Sequence, residues 1–195
     1  MGRKLEFCKD TAMERAMMSF WAKGYEATSM RELADTLGLH LGSVYNALGD
    51  KEKVFENALR RYLEKHVTPI MTELEKAQDP MRALEDLADR VLEECSGKKP
   101  ESPGCFFLNS LLSITHINPN ITALVRETIE TVDSGLANCI RRAQAQGQIP
   151  LEKNPAQWAR FFHGMLDGMR VAGKFGQSEA HMADIRDCAL AALRQ

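Results

Sequence analysis

An all-α fold of nine helices is what this chain of 195 residues predicts, and three observations predict it. Apolar residues recur at three- and four-residue intervals, as in Met81, Leu84, Leu87, Ala88, Val91 and Leu92, which is the period of a helix with one buried face. Helix punctuation separates these stretches: Gly38, Gly49, Asp79-Pro80, Asn118-Pro119, Gly147 and Asn154-Pro155. No alternating apolar and polar run of strand length interrupts them. Three helices fall in an N-terminal head, residues 1–50, and six in a body, residues 51–195.

The first helix covers residues 9–23, with Ala12, Ala16, Met17, Phe20 and Trp21 facing inward. Thr28 or Ser29 then caps a second helix, and Glu32, three residues after Ser29, closes a capping box over two otherwise unpaired amides. Met30, Leu33, Ala34 and Leu37 are its apolar face. Gly38 tolerates the positive φ of a sharp turn, Leu39 plugs that turn, and a short third helix runs from about Leu41 to Leu48, where Gly49 ends it. Val44 and Leu48 point inward there, leaving His40, Gly42, Ser43, Tyr45, Asn46 and Ala47 on the other faces.

Two short helices around a glycine turn are a helix-turn-helix, whose second helix places its N-terminal residues in the DNA major groove. The small residues Gly42 and Ser43 allow close approach. Thr28, Tyr45 and Lys51 are expected to donate to phosphates, which sets register without reading sequence; His40, Ser43 and Asn46 are the candidates for base edges. The plainer reading of the same residues is an αα-hairpin in which glycine and tyrosine only pack.

Asp50 caps a long helix over residues 51–76, with Val54, Phe55, Ala58, Leu59, Tyr62 and later Ile70, Met71 and Leu74 on one side. Pro69 lies inside it, so a kink or break is expected near Val67 and Thr68. After the helix beginning at Met81, the segment Lys98-Lys99-Pro100-Glu101-Ser102-Pro103 is a breaker-rich loop. The next helix, from Gly104 to Ile114, is apolar almost all round and is expected at the centre of the body. Asn118-Pro119 opens a helix closed by Gly147, Asn154-Pro155 opens one ending at Gly173, and Ser178 caps the last, to about Leu193.

The motif sits in a longer pattern. Gly24-Tyr25, Thr28-Ser29, Leu33-Ala34, Gly38, Gly42-Ser43-Val44-Tyr45 and Lys51-Glu52 follow one another in the order and spacing of the TetR/AcrR family of bacterial transcriptional regulators, which residues 9–62 resemble. In relatives position 41 is often lysine, and an aromatic or histidine and then phenylalanine often stand where this chain has Ala47 and Leu48. Losing that cation implies weaker phosphate attraction and a flatter salt dependence. The resemblance also implies a homodimer presenting two recognition helices roughly 34 to 36 Å or more apart on a pseudo-palindromic operator. Repression is the family's commoner mode.

Gly164, Gly168 and Ala172 recur every four residues, although each interior glycine costs a helix about 1 kcal/mol relative to alanine. Close approach of another helix explains them. Trp158, Phe161, Met165 and Met169 flank the strip, and with Ile185 and Ala189 of the last helix they are expected to pair with their two-fold mates in a four-helix bundle, as relatives do; packing within one chain is the alternative. The body is expected to sense an effector, either a small apolar molecule or an electrophile. Its candidate lining is Phe106, Phe107, Ser110, Ile114, His116, Trp158, Phe162, His163 and Arg170, any of which also serves as core.

Cys105 follows Pro103-Gly104 and falls in the first turn of the central helix, where unpaired amides stabilise a thiolate. Some TetR relatives with Gly-Cys at this point sense electrophiles or oxidants, and the resemblance extends that role to Cys105; a small buried apolar residue is the alternative. Cys8, Cys95, Cys139 and Cys188 are read as packing or surface. Five scattered cysteines without a C-x-x-C pair indicate neither a zinc site nor a disulfide framework, and no metal or cofactor is expected.

Charge does not carry the DNA reading. The net charge is -2, and residues 1–66 hold 11 Lys and Arg against 10 Asp and Glu. No nucleophile elbow, phosphate-cradling loop or His-Glu metal motif suggests an enzyme. No membrane span or signal-peptide core is present, so a cytoplasmic location is expected. The rival reading is a helical interaction adaptor with weakened or lost DNA binding, given Leu41 and Ala47.

Overall fold

A computed structural model describes residues 9–96, 104–114 and 118–195, and every described regular element is helical. The order is α1 (Lys9–Lys23), α2 (Met30–Leu37), α3 (Leu41–Leu48), α4 (Lys51–Tyr62), a π-helical stretch (Leu63–Val67), α5 (Thr68–Lys76), α6 (Pro80–Cys95), α7 (Phe106–Ile114), α8 (Pro119–Ala145), α9 (Pro155–Lys174) and α10 (Glu179–Arg194). Helical structure is unbroken from residue 51 to 76, so α4, the π stretch and α5 form the single long helix expected, and the helices number nine among the described residues. Pro69 lies in the first turn of α5. It has no N–H to give to the preceding turn, and its ring crowds that turn. The wider π spacing just before it relieves both problems.

The predicted caps are formed. Asp50 accepts from the Lys53 amide, Asp79 from Arg82, Asn154 from Ala156 and Gln157, and Ser178 from His181. Each satisfies amides that a helix start leaves unpaired.

Two compact units result, one of residues 1–66 and 106–125 and the other of 67–105 and 126–195. The first unit thus runs past residue 50. α4 belongs to it because Val54, Phe55, Ala58, Leu59 and Tyr62 are buried, and because Arg61 and Lys65 both reach Glu14 of α1 at 2.6 Å. The Phe20, Tyr25 and Phe55 rings pack together with centroids 5.0 to 6.2 Å apart.

α7 corrects the sequence reading. Its Phe106 packs edge-on against Phe55 and Tyr62, at 5.5 and 5.6 Å, and lies 6.4 Å from Trp21. The helix start expected at the centre of the body is thus part of the head's aromatic core. A helix apolar on every side announces burial but not its partner.

The body's core joins Leu74 of α5, Leu84, Leu87, Ala88 and Val91 of α6, Leu136 and Ile140 of α8, Phe162, Leu166 and Met169 of α9, and Met182, Leu190 and Leu193 of α10. Arg142 of α8 donates to the Leu74 and Glu75 carbonyls, at 2.8 and 2.6 Å, and also to Ala77, so one guanidinium closes the C-terminal end of α5. No described helix is long and apolar enough to cross a membrane.

Candidate DNA-binding site and the body's candidate sensor

The helix-turn-helix is fixed by local chemistry. Ser29 accepts from the Glu32 amide at 3.1 Å while Glu32 accepts from the Ser29 amide at 2.8 Å, and Lys23 adds an ion pair at 3.2 Å. The Ser29 amide first, and then Lys23, hold the Glu32 carboxyl below its ordinary range. Gly38, at φ 67°, gives its amide to Asp35, and Leu39 gives its own to Ala34. That paired closure turns the chain into α3.

Within α3, Val44 and Leu48 are sunk into the head. His40, Gly42, Ser43 and Asn46 face solvent, together with Leu41 at 36% and Tyr45 at 48% exposure. His40 takes the N-cap position without a side-chain hydrogen bond, so no capping side chain covers the first amides of α3, an arrangement that accepts an anion. A Cβ on Gly42 would meet nothing within 4 Å. The face expected to meet DNA is therefore open.

Two expected phosphate donors have other duties. Thr28 is 1% exposed and its hydroxyl donates to the Gly24 carbonyl at 2.8 Å, so it braces the turn instead of facing solvent. The adjacency of Thr28 and Ser29 as interchangeable caps hid this: Ser29 is the cap, and the residue before it turns inward. The Lys51 ammonium lies 4.2 Å from the Tyr25 ring centroid and 3.5 Å from the Glu26 carbonyl, which poises it at the end of the motif. Burial first, and then Glu52, Glu26 and Asp50, push the Tyr25 hydroxyl's pKa up. Arg31, which the sequence reading did not single out, is exposed on α2 and in no ion pair among the described residues.

The body brings together few of the expected effector residues. Phe106 belongs to the head's aromatic cluster. Phe107 and Ser110 are buried, and the Ser110 hydroxyl donates to the Phe106 carbonyl at 2.7 Å. His116 and the side chain of Ile114 lie outside the described residues. Phe162 is core. Trp158 lies under the Lys153 ammonium at 4.1 Å. His163 and Arg170 belong to a polar chain across three helices: His163 meets Asp133 at 2.8 Å and Asp167 at 3.7 Å, and Arg170 meets Asp167 at 3.4 Å and Glu94 at 3.9 Å.

A cavity of about 560 Å³ opens elsewhere, between α5 and α8, lined in part by Met71, Glu75, Glu127, Glu130, Asn138 and Cys139. None of the expected effector residues lines it. Cys105 is half-buried just before α7. Burial pushes the Cys139 thiol up to about 11 and raises the Cys95 thiol as well, so neither is an ionised nucleophile at neutral pH. Among the described residues no group of three His, Cys, Asp or Glu side chains could hold a metal ion.

On α9 the glycines divide in two. Gly173 is pressed against Cys95: a Cβ there would stand 2.8 Å from the Cys95 Cβ and 3.0 Å from its carbonyl. Gly164 and Gly168 have nothing within 4 Å of that position. They lie on an exposed stripe with Phe161 at 51% exposure, Val171 and Phe175 at 81%. Six residues expected on this stripe lie elsewhere. Met165, Met169 and Ala189 are buried in the body's core, and Trp158, Ala172 and Ile185 pack against it. Helical period explains the first of these, since Met165 follows Gly164 by one residue, a rotation of about 100° that carries it off the exposed face.

Two family models match the chain. Residues 12–58 match the description "Bacterial regulatory proteins, tetR family", and residues 80–189, more than half the chain, match "Tetracyclin repressor-like, C-terminal domain". This chain belongs to the tetR family. It is a DNA-binding regulator of transcription and not an enzyme.

Among curated proteins, this tetR-family chain is 27% identical to the HTH-type transcriptional repressor ComR of Escherichia coli over 181 residues, 91% of this chain and 84% of that one. Among solved structures it is similar, at TM-score 0.81 and 26% identity, to a cysteine mutant of the TetR family regulator CifR complexed with 26-base-pair operator DNA, covering 98% of this chain and 100% of that one. A TetR regulator from Chloroflexus aurantiacus shares the fold at TM-score 0.84 and 18% identity over 96% of this chain and 94% of that one.

Proposed function

We propose that this tetR-family protein is a homodimeric repressor that leaves a pseudo-palindromic operator when its body takes up a small apolar ligand or when Cys105 is modified. The observation that carries the reading is the open face of α3, where His40, Leu41, Gly42, Ser43, Tyr45 and Asn46 are exposed while Val44 and Leu48 anchor the helix. Such a face suits major-groove entry. The similar ComR is named a repressor, and the similar CifR was captured on operator DNA. The stripe of Phe161, Gly164 and Gly168 is the surface on which two copies pair, because glycines with empty surroundings serve no packing purpose within one chain.

Release requires that the effector distinguish two states of the dimer. Cys105, half-buried and just before α7, would add to a quinone through its sulfur, and the added bulk is the proposed means of shifting α7. The test is a gel shift on DNA flanking the coding region, with and without a mild quinone. Release of wild type but not of Cys105→Ser supports the thiol sensor; release of both or of neither contradicts it and leaves the non-covalent ligand.

A further inference from the structure

The recognition helix is chemically unusual in what it lacks. α3, Leu-Gly-Ser-Val-Tyr-Asn-Ala-Leu, holds no Lys, Arg, Asp or Glu. Arg and Lys are the commonest readers of guanine, through its O6 and N7, and acidic side chains read cytosine N4. Neither is available here. The exposed polar groups are the Ser43 and Tyr45 hydroxyls, the Asn46 amide and the His40 ring at the cap.

Leu41 is the one large aliphatic residue of the motif that is exposed. Met30, Leu33, Val44 and Leu48 are buried and Leu37 and Leu39 are half-buried, whereas Leu41 is 36% exposed at the first position of α3. Its neighbour Gly42 carries no side chain and has open space where one would be, so nothing on that flank keeps the Leu41 methyls from a surface laid against the helix start. The N-terminal residues of the second helix are those that meet base edges. The one apolar group on a major-groove edge is the C5-methyl of thymine.

We propose that Leu41 reads a thymine C5-methyl in each operator half-site, so that the base pair beneath the start of α3 is A·T. This rests on α3 being the recognition helix. A leucine side chain excludes water from the methyl and offers nothing to the amino or carbonyl groups of a G·C pair, leaving them desolvated without partners. Specificity at that position comes as much from this penalty as from the apolar contact itself.

The test starts from duplexes enriched by the full-length protein from a random library at low salt. Each thymine of the enriched site is then replaced singly by deoxyuridine, which removes the methyl and keeps the pairing, and affinity is read by fluorescence anisotropy. One thymine per half-site is expected to lose about fourfold, the effect of burying about one methyl group. Leu41→Ala loses that discrimination at the same position only, and Leu41→Met, which keeps an apolar reach, retains it. If no thymine is sensitive, if Leu41→Ala discriminates as wild type does, or if duplex is bound without any enriched sequence, the thymine-reading role is overturned while DNA binding stands. Absence of any duplex binding overturns the DNA-binding reading itself.

Discussion

Gly173 and Cys95 stand so close that a Cβ built on Gly173 would sit 2.8 Å from the Cys95 Cβ and 3.0 Å from its carbonyl oxygen. α9 and the end of α6 approach so closely there that neither can yield, since the obstructing atoms are backbone and a Cβ. Gly173→Ala is expected to lower the unfolding free energy by about 1 to 3 kcal/mol, the usual cost of overpacking, measured by urea denaturation.

The opposite holds for Gly168. Its Cβ position is empty, so Gly168→Gln adds helix propensity of up to about 1 kcal/mol without a clash inside the protomer. If this stripe is the pairing surface, as proposed, the added side chain obstructs the second copy. Sedimentation velocity is expected to show a folded monomer where wild type is a dimer; an unchanged dimer would rule this stripe out as the interface.

Arg31 is exposed beside the capping box and in no ion pair among the described residues, and in helix-turn-helix proteins the first helix of the motif crosses the DNA backbone. Arg31→Ala is therefore expected to weaken binding to all sequences alike. The slope of log affinity against log salt should become shallower by about 0.9 for each phosphate that Arg31 neutralises.

Acid should loosen the head through Glu14. Hydrogen bonds from Arg61 first, and then Lys65, hold its carboxyl below the ordinary 4.5. A depressed acid contributes stability that is present above 4.5 and lost as pH falls through the lower folded value. Glu14→Gln should flatten the fall of thermal stability below about pH 4.5, followed by circular dichroism.

The Cys139 thiol behaves in the reverse sense. Burial raises it from 9.0 to about 11, so its contribution is complete below pH 9 and is lost as pH rises towards 11. In the native protein it is expected to resist thiol reagents, at about pH 8, that label the exposed Cys188, and to react only on unfolding.

What the residues disclosed in advance was local. The Ser29–Glu32 box, the Gly38 turn and the inward Val44 and Leu48 depend on neighbours within a few positions, and all could be read from spacing. Phe106 could not be placed, because apolarity does not say which core a helix enters. Met165 stands next to Gly164 in sequence yet on another face of α9, and that proximity concealed its place in the core. The Arg142 clamp on α5 and the α5–α8 cavity join segments far apart in the chain, and no motif marks them.

That the exposed face of α3 binds duplex DNA is tested most directly by the affinity of wild type and Tyr45→Ala for the flanking duplex as salt is raised. Wild type is expected to be retained at low salt and released steadily as salt rises, with Tyr45→Ala weaker throughout yet equally folded. Affinity for duplex indifferent to salt, or unchanged by Tyr45→Ala, would contradict it.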